Sequence, residues 1–126
     1  MREIKFRGIS QYSGKMVYGQ LLRGDNNFSI VIDFGMISTI QLEPIVKGTQ
    51  SQYTGLKDEN GRGIYDGDII KGLNRLWGVV VVENVHYWNG CYMFGNYNAH
   101  EFLNKHQHIE VIGNIYENKE LLEGAE

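Results

Sequence analysis

A mainly β fold is what this sequence predicts, on three observations. Sixteen glycines and a single proline, Pro44, punctuate 126 residues and leave only short uninterrupted segments. Eight tyrosines and many Val and Ile residues fill those segments, and aromatic and β-branched side chains suit a pleated, half-buried surface. Within the segments these side chains alternate with polar ones, the period of a strand lying on a core. A chain of this length makes one ordinary domain, or two small ones sharing a core, and buries well over half of its unfolded surface.

The elements follow in order. Strands are expected over residues 3–7, 16–22, 28–33 and 36–42, with Ser13-Gly14, Gly24-Asp25-Asn26-Asn27 and Phe34-Gly35 as the breaks between them. In 58–63, DENGRG, the Asn60-Gly61 step favours positive φ at both residues and turns the chain. A strand over 64–70 then passes through Asp66-Gly67-Asp68, whose carboxylates are expected at a loop, in water. Strands are expected near 77–85 and 87–94, with a hairpin turn at Asn89-Gly90, and a last strand covers 109–116. Ala99, Phe102 and Leu103 stand at i, i+3, i+4, so 98–105 is the best helix candidate. A further helical turn is expected within 117–122, and 123–126 reads as an acidic, frayed end. A soft boundary near Thr54 separates an N-terminal β unit, 1–54, from a second unit, 55–126.

One block carries more identity than the rest. Residues 52–70 read QYTGLKDENGRGIYDGDII, with REIKFRG (2–8) and KMVYG (15–19) at one end of the chain and IEVIGNIYENKELL (109–122) at the other. The paired opening, the central block and the ending, in chain order, resemble the YopX family, small proteins encoded by bacteriophages and prophages of Gram-positive bacteria. The resemblance spans nearly the whole chain, though 23–42 shows no family pattern. It implies a mainly β protein whose C-terminal part is a small SH3-type barrel, with self-association. The family has no assigned biochemical function, so the resemblance carries over no catalytic residues. The helix at 98–105 would plug one end of the barrel.

The Asn89-Gly90 turn predicts a register. A two-residue type I′ loop sets Trp88 opposite Cys91, Tyr87 opposite Tyr92, His86 opposite Met93 and Val85 opposite Phe94. One face then holds Val85, Tyr87, Tyr92 and Phe94, fit for a barrel interior. The other holds His86, Trp88, Cys91 and Met93, and a barrel this small has only one inside. Cover from the same chain is the first expectation for that second face, because apolar strand residues are usually core. A second copy of the protein comes next and a foreign ligand last. These four residues are the candidate interaction surface.

Chemical motifs fail for stated reasons. Asp58, Asn60 and Gly63 match an EF-hand loop, but Arg62 occupies a ligand position and Ile69 stands where a bidentate Glu is needed. Gly14-Lys15 lacks the first glycine of a P-loop, which is Ile9, and Met16 replaces its magnesium-holding hydroxyl. Gly61 and Gly63 start a dinucleotide pattern without its third glycine or its strand-to-helix setting. His100, His106 and His108 with Glu101 are the nearest approach to a metal set. Their spacing is not diagnostic, and solvated or capping histidines are expected instead. Asp66 and Asp68 would need a cleft to split their pKa values, so they read as turn-stabilising acceptors of backbone amide protons. Ser29, Thr39, Ser51 and Thr54 have no adjacent base or elbow motif. No catalytic residue, cofactor or metal is expected.

Charge bears on partners. Twelve Lys and Arg against fifteen Asp and Glu give a net charge of −3, which disfavours a face built to release counterions from phosphates. Local clusters remain at Arg2, Lys5, Arg7 and Lys15, and at Arg62, Lys71 and Arg75. They are read first as solvated charges on edge strands and second as a nucleic-acid patch. The lone Cys91 and the absence of an apolar N-terminal segment suit a reducing bacterial cytoplasm, and the longest apolar run, 79–82, is too short to cross a bilayer. The expectation is a non-catalytic, homo-oligomeric binding protein, with a host or phage protein as an alternative partner. A nucleic-acid-binding barrel serving phage gene regulation or replication is the runner-up.

Overall fold

Turn chemistry cuts the chain into short antiparallel strands in the computed structural model, which describes residues 3–33 and 40–123. Backbone packing separates two units, 1–53 and 54–126. The first begins with β1 (Phe6–Ile9), β2 (Met16–Arg23), β3 (Phe28–Asp33) and β4 (Ile40–Pro44). Ile9 pairs with Met16, Arg23 with Phe28, and Asp33 with Ile40, so the order of the meander runs β4-β3-β2-β1. The start of β5 (Ser51–Lys57) adds beside β1, with Phe6 opposite Gln52. Most of the strand expected over 36–42, with Thr39, lies outside the described residues, as do Arg2 and the end of the tail. The first strand is Phe6–Ile9 rather than 3–7.

Ile30 and Ile45 are the apolar centre of this unit, and Arg7 and Ser10 are buried with them. Gly8 admits Ile45, since a Cβ there would come within 2.4 Å of Ile45 Cδ1. Side-chain hydroxyls satisfy the surrounding backbone. Thr49 Oγ1 accepts from Ile9 N at 3.1 Å and donates to Val46 O at 2.7 Å, and Ser10 Oγ donates to Glu43 at 2.6 Å.

In the second unit β5 continues beside β6 (Gly63–Tyr65). Then come β7 (Asp68–Asn74), β8 (Val80–Trp88), β9 (Cys91–Phe94), β10 (Tyr97–Asn98), α1 (Ala99–Lys105), β11 (His106–Asn114) and α2 (Glu120–Glu123). The single strand expected over 64–70 is two strands, because Gly67 adopts φ +87° and turns the chain between them. Ile64, Ile70, Val85, Phe94, Phe102, Ile109 and Val111 form the core. The stripe Ala99, Phe102, Leu103 packs on that core as its period predicts, and Asn98 Oδ1 caps α1 by accepting from Glu101 N at 2.8 Å.

The fold is mainly β, but the expected barrel is not closed. The sheet is open, in the order β10-β9-β8-β7-β11, and α1 lies against both of its end strands. At β11 the register shifts between Gln107 and Glu110, with His108 at φ +54°. Beyond this bulge the β5–β6 turn reaches β11 with two bonds, Glu59 N to Ile109 O at 3.0 Å and Val111 N to Asp58 Oδ2 at 3.0 Å. These bonds take the place of a continuous ladder.

Candidate interaction surface on the second unit

At the β8–β9 hairpin Asn89 and Gly90 adopt φ +52° and +88°, the backbone of a type I′ loop. Val85 pairs with Phe94, His86 with Met93, Tyr87 with Tyr92 and Trp88 with Cys91, the register that the Asn-Gly step predicts. Val85 and Phe94 are fully buried. Tyr87 belongs to their face yet is exposed, and meets Tyr92 edge to face at 5.1 Å. The hairpin extends past the core, so of its last inward-facing pair Tyr92 packs against the core and Tyr87 is not covered as expected. On the opposite face Trp88 is 61% exposed and Cys91 is exposed, while His86 and Met93 are half-buried. The candidate set therefore stays together on one face, but only its outer members are open. Cys91 Sγ lies 3.7 Å from both Trp88 O and Met93 Sδ, and His86 Nδ1 is buried without a hydrogen bond among the described residues. Cys91 also lines a groove of about 460 Å³ with Leu56, Tyr92, Ala99, His100 and Leu103.

The other end of β8 presents a second apolar tip. Residues 75–79 form a turn in place of the expected strand start at 77. Asn74 Oδ1 accepts from Leu76 N at 3.0 Å and Trp77 N at 2.9 Å, Gly78 N donates to Asn74 O, and Asn74 N donates to Val79 O. Leu76 and Trp77 are 79% and 75% exposed, and Val79 and Val80 are more than half exposed. Sequence reasoning missed this tip. The signal lay in Asn74 and in Gly78, which adopts φ +66°.

The residues considered for chemistry do not converge. His100 sits beside Asn104 on the helix surface at 3.3 Å, and His108 beside Glu59 at 3.5 Å. His106 takes the capping alternative rather than the solvated one: it is the C-cap of α1, buried and stacked 3.9 Å from Phe102, with Nδ1 3.0 Å from Phe102 O. The bulge after Gln107 keeps His106 and His108 from sharing a face. No group of three or more His, Cys, Asp or Glu able to hold a metal occurs among the described residues.

Asp68, expected in water, is fully buried, because its Oδ2 accepts from Tyr65 N at 2.7 Å across the Gly67 turn. The amide-accepting role is the one the turn requires. At the neighbouring turn only Gly61 has positive φ, not Asn60. Asp58 Oδ1 holds Asn60 N and Arg62 N at 2.9 Å each, which fixes the pair in a tighter arrangement with glycine alone in the left-handed position. Ser51 Oγ accepts from Arg7 Nε at 3.0 Å, and Thr54 Oγ1 donates to Ile64 O at 2.7 Å.

One carboxylate is perturbed. Glu83 lies over Gly95, and burial raises its pKa above the ordinary value, with the His106 and His86 imidazoles lowering it in part. Among the described residues the basic side chains stand in different settings. Arg7 is 1% exposed, Lys5 lies 3.6 Å from Glu3 and over the Tyr53 ring, and Lys71 lies 3.9 Å from Glu110. Lys15 and Arg62 are exposed, and Arg75 contacts Gln107 Oε1 at 3.4 Å.

Comparison with known proteins gives identity but no activity. The profile described as YopX protein matches residues 5–123. The chain belongs to the YopX family. Among solved structures, this YopX protein is similar to protein EF1440 from Enterococcus faecalis, with a TM-score of 0.60 and 25% sequence identity over 97% of this chain and 99% of that one. No curated protein matches.

Proposed function

We propose that this YopX protein is a non-catalytic binding module that self-assembles through the outer end of its β8–β9 hairpin. The observation that carries the reading is Trp88, 61% exposed on a tightly specified type I′ hairpin beside exposed Tyr87 and Cys91. An aromatic held on a rigid turn presents a large apolar area at little entropic cost on binding, and Trp and Tyr are the residues that dominate association energies. A single tip buries less than the roughly 800 Å² per partner of a stable interface, so the assembly is concentration-dependent. The absence of converging nucleophile, base or metal ligands among the described residues is compatible with this reading and does not carry it.

The resemblance to phage and prophage proteins suggests the cytoplasm of a bacterial host as the setting, where a host or phage protein could take the place of the second copy on the same tip. No helix of the described residues is long and apolar enough to cross a membrane. Sedimentation velocity over a concentration series tests the reading. The wild-type protein is expected to gain mass with concentration, and Trp88→Glu to remain a monomer with an unchanged melting temperature. Equal mass distributions for the two proteins would remove the hairpin from any interface.

A further inference from the structure

At the far end of β8, about 27 Å from the Trp88 hairpin for nine residues of strand, the β7–β8 turn and the end of α1 enclose a cleft of about 340 Å³. Its lining has a chemical pattern: two cations, Arg75 and Lys105, two aromatic rings, Trp77 and Tyr97, and two amides, Asn74 and Asn104. Carboxylates outnumber cations in the chain as a whole, yet none lines this cleft. We propose that it binds single-stranded nucleic acid, a base stacking on Trp77 and the adjoining phosphates pairing with Arg75 and Lys105.

The geometry supports each part. Arg75 N donates to Lys105 O at 2.9 Å, so the backbone ties the two cation-bearing residues to neighbouring positions on the rim of one cleft. Lys105 Nζ lies 5.1 Å from the centre of the Tyr97 ring and 4.0 Å from the exposed Glu101 carboxylate. Glu101 therefore competes with a phosphate for the same ammonium. Trp77 is mostly exposed while its backbone is fixed by Asn74 Oδ1, which leaves a π-face open with little to lose on ordering. Rings that accept any base, beside cations that track the backbone, are the usual composition of a single-strand site. An acidic peptide would use the cations and leave the rings idle. A duplex needs a broad basic face, and of the cations elsewhere Arg7 is buried and Lys71 is paired.

The test is fluorescence anisotropy with labelled hexamers of oligo-dT and oligo-U at about 50 mM salt, on the full chain carrying Trp88→Glu so that self-assembly is separated from binding. Saturation near 0.1 mM is expected, on the order of non-specific nucleic-acid affinities. With two phosphates engaged, log affinity should fall with log salt at a slope of about −1.4. Trp77→Ala should weaken binding about tenfold or more, and Trp77→Phe should restore most of it. Lys105→Ala should roughly halve the salt slope. Glu101→Gln should tighten binding, which a merely structural role for that residue would not produce. No saturable signal up to about 1 mM, equal competition by hexaglutamate, or indifference to Trp77→Ala would each overturn the proposal. Loss of assembly by Trp88→Glu leaves it untouched, because the two ends of β8 are read separately.

Discussion

Asp58 explains much of why the central block is written as it is. Asp58 is almost fully buried and accepts three backbone amide protons, two within its own turn and one from Val111, 53 residues away. A carboxylate with this many donors is a structural centre, and removing it strands amides that nothing else reaches. Asp58→Ala is expected to cost about 3 kcal/mol, from bonds to a charged acceptor and the desolvated donors left behind. Urea denaturation should show the loss as a lower midpoint at unchanged slope. Glu83 acts in the opposite sense. Its folded-state pKa is raised by burial, so its contribution to stability is fully present below the ordinary carboxylate pKa and is lost as pH rises through the raised one. The neighbouring His106 and His86 imidazoles lower the Glu83 pKa in part and limit the size of the effect. Glu83→Gln should raise the melting temperature at about pH 7 and change it little at about pH 4. A variant that destabilises equally at both would assign Glu83 a hydrogen-bonding role instead.

At the scale of elements, local signals were legible where one residue pair fixes the backbone. Asn89-Gly90 determined the β8–β9 register, residue for residue, since a type I′ loop leaves no freedom of pairing. The i, i+3, i+4 stripe of α1 was equally legible, with Asn98 as its cap. Legibility failed where a side chain competes with the pattern. Val79 to Val82 read as a strand beginning near Trp77, but the Asn74 carboxamide takes the amides of Leu76 and Trp77 and delays the strand to Val80. Ile64 to Ile70 read as one strand interrupted by the turn-prone triplet Asp66-Gly67-Asp68, and Asp68 and Gly67 fold it into two. Gly90 offers an element-scale check. It adopts φ +88° in open space, so Gly90→Ala meets no clash and costs only the backbone penalty of about 1–2 kcal/mol. Thermal unfolding should drop by several degrees, and a drop above 15 degrees would mean that the hairpin end is packed against something.

For the whole molecule, the fold class followed from composition, and closure did not. Whether strands meet end to end depends on the bulge at His108 and on two turn-to-strand bonds, long-range features that no local window contains. The candidate surface was half legible for the same reason: alternation put His86, Trp88, Cys91 and Met93 on one face, but how far the hairpin extends past the core depends on what α1 and β11 cover. Both tryptophans end up in solvent, Trp88 at the end of β8 and Trp77 in the turn that precedes it, a costly placement for folding alone. The account assigns that exposure to contact with other molecules. Its most direct test is iodide quenching of Trp88 fluorescence in a Trp77→Phe protein across a concentration series. Quenching should be strong in dilute solution and fall as the sedimenting mass rises; quenching that stays constant while mass rises would contradict it.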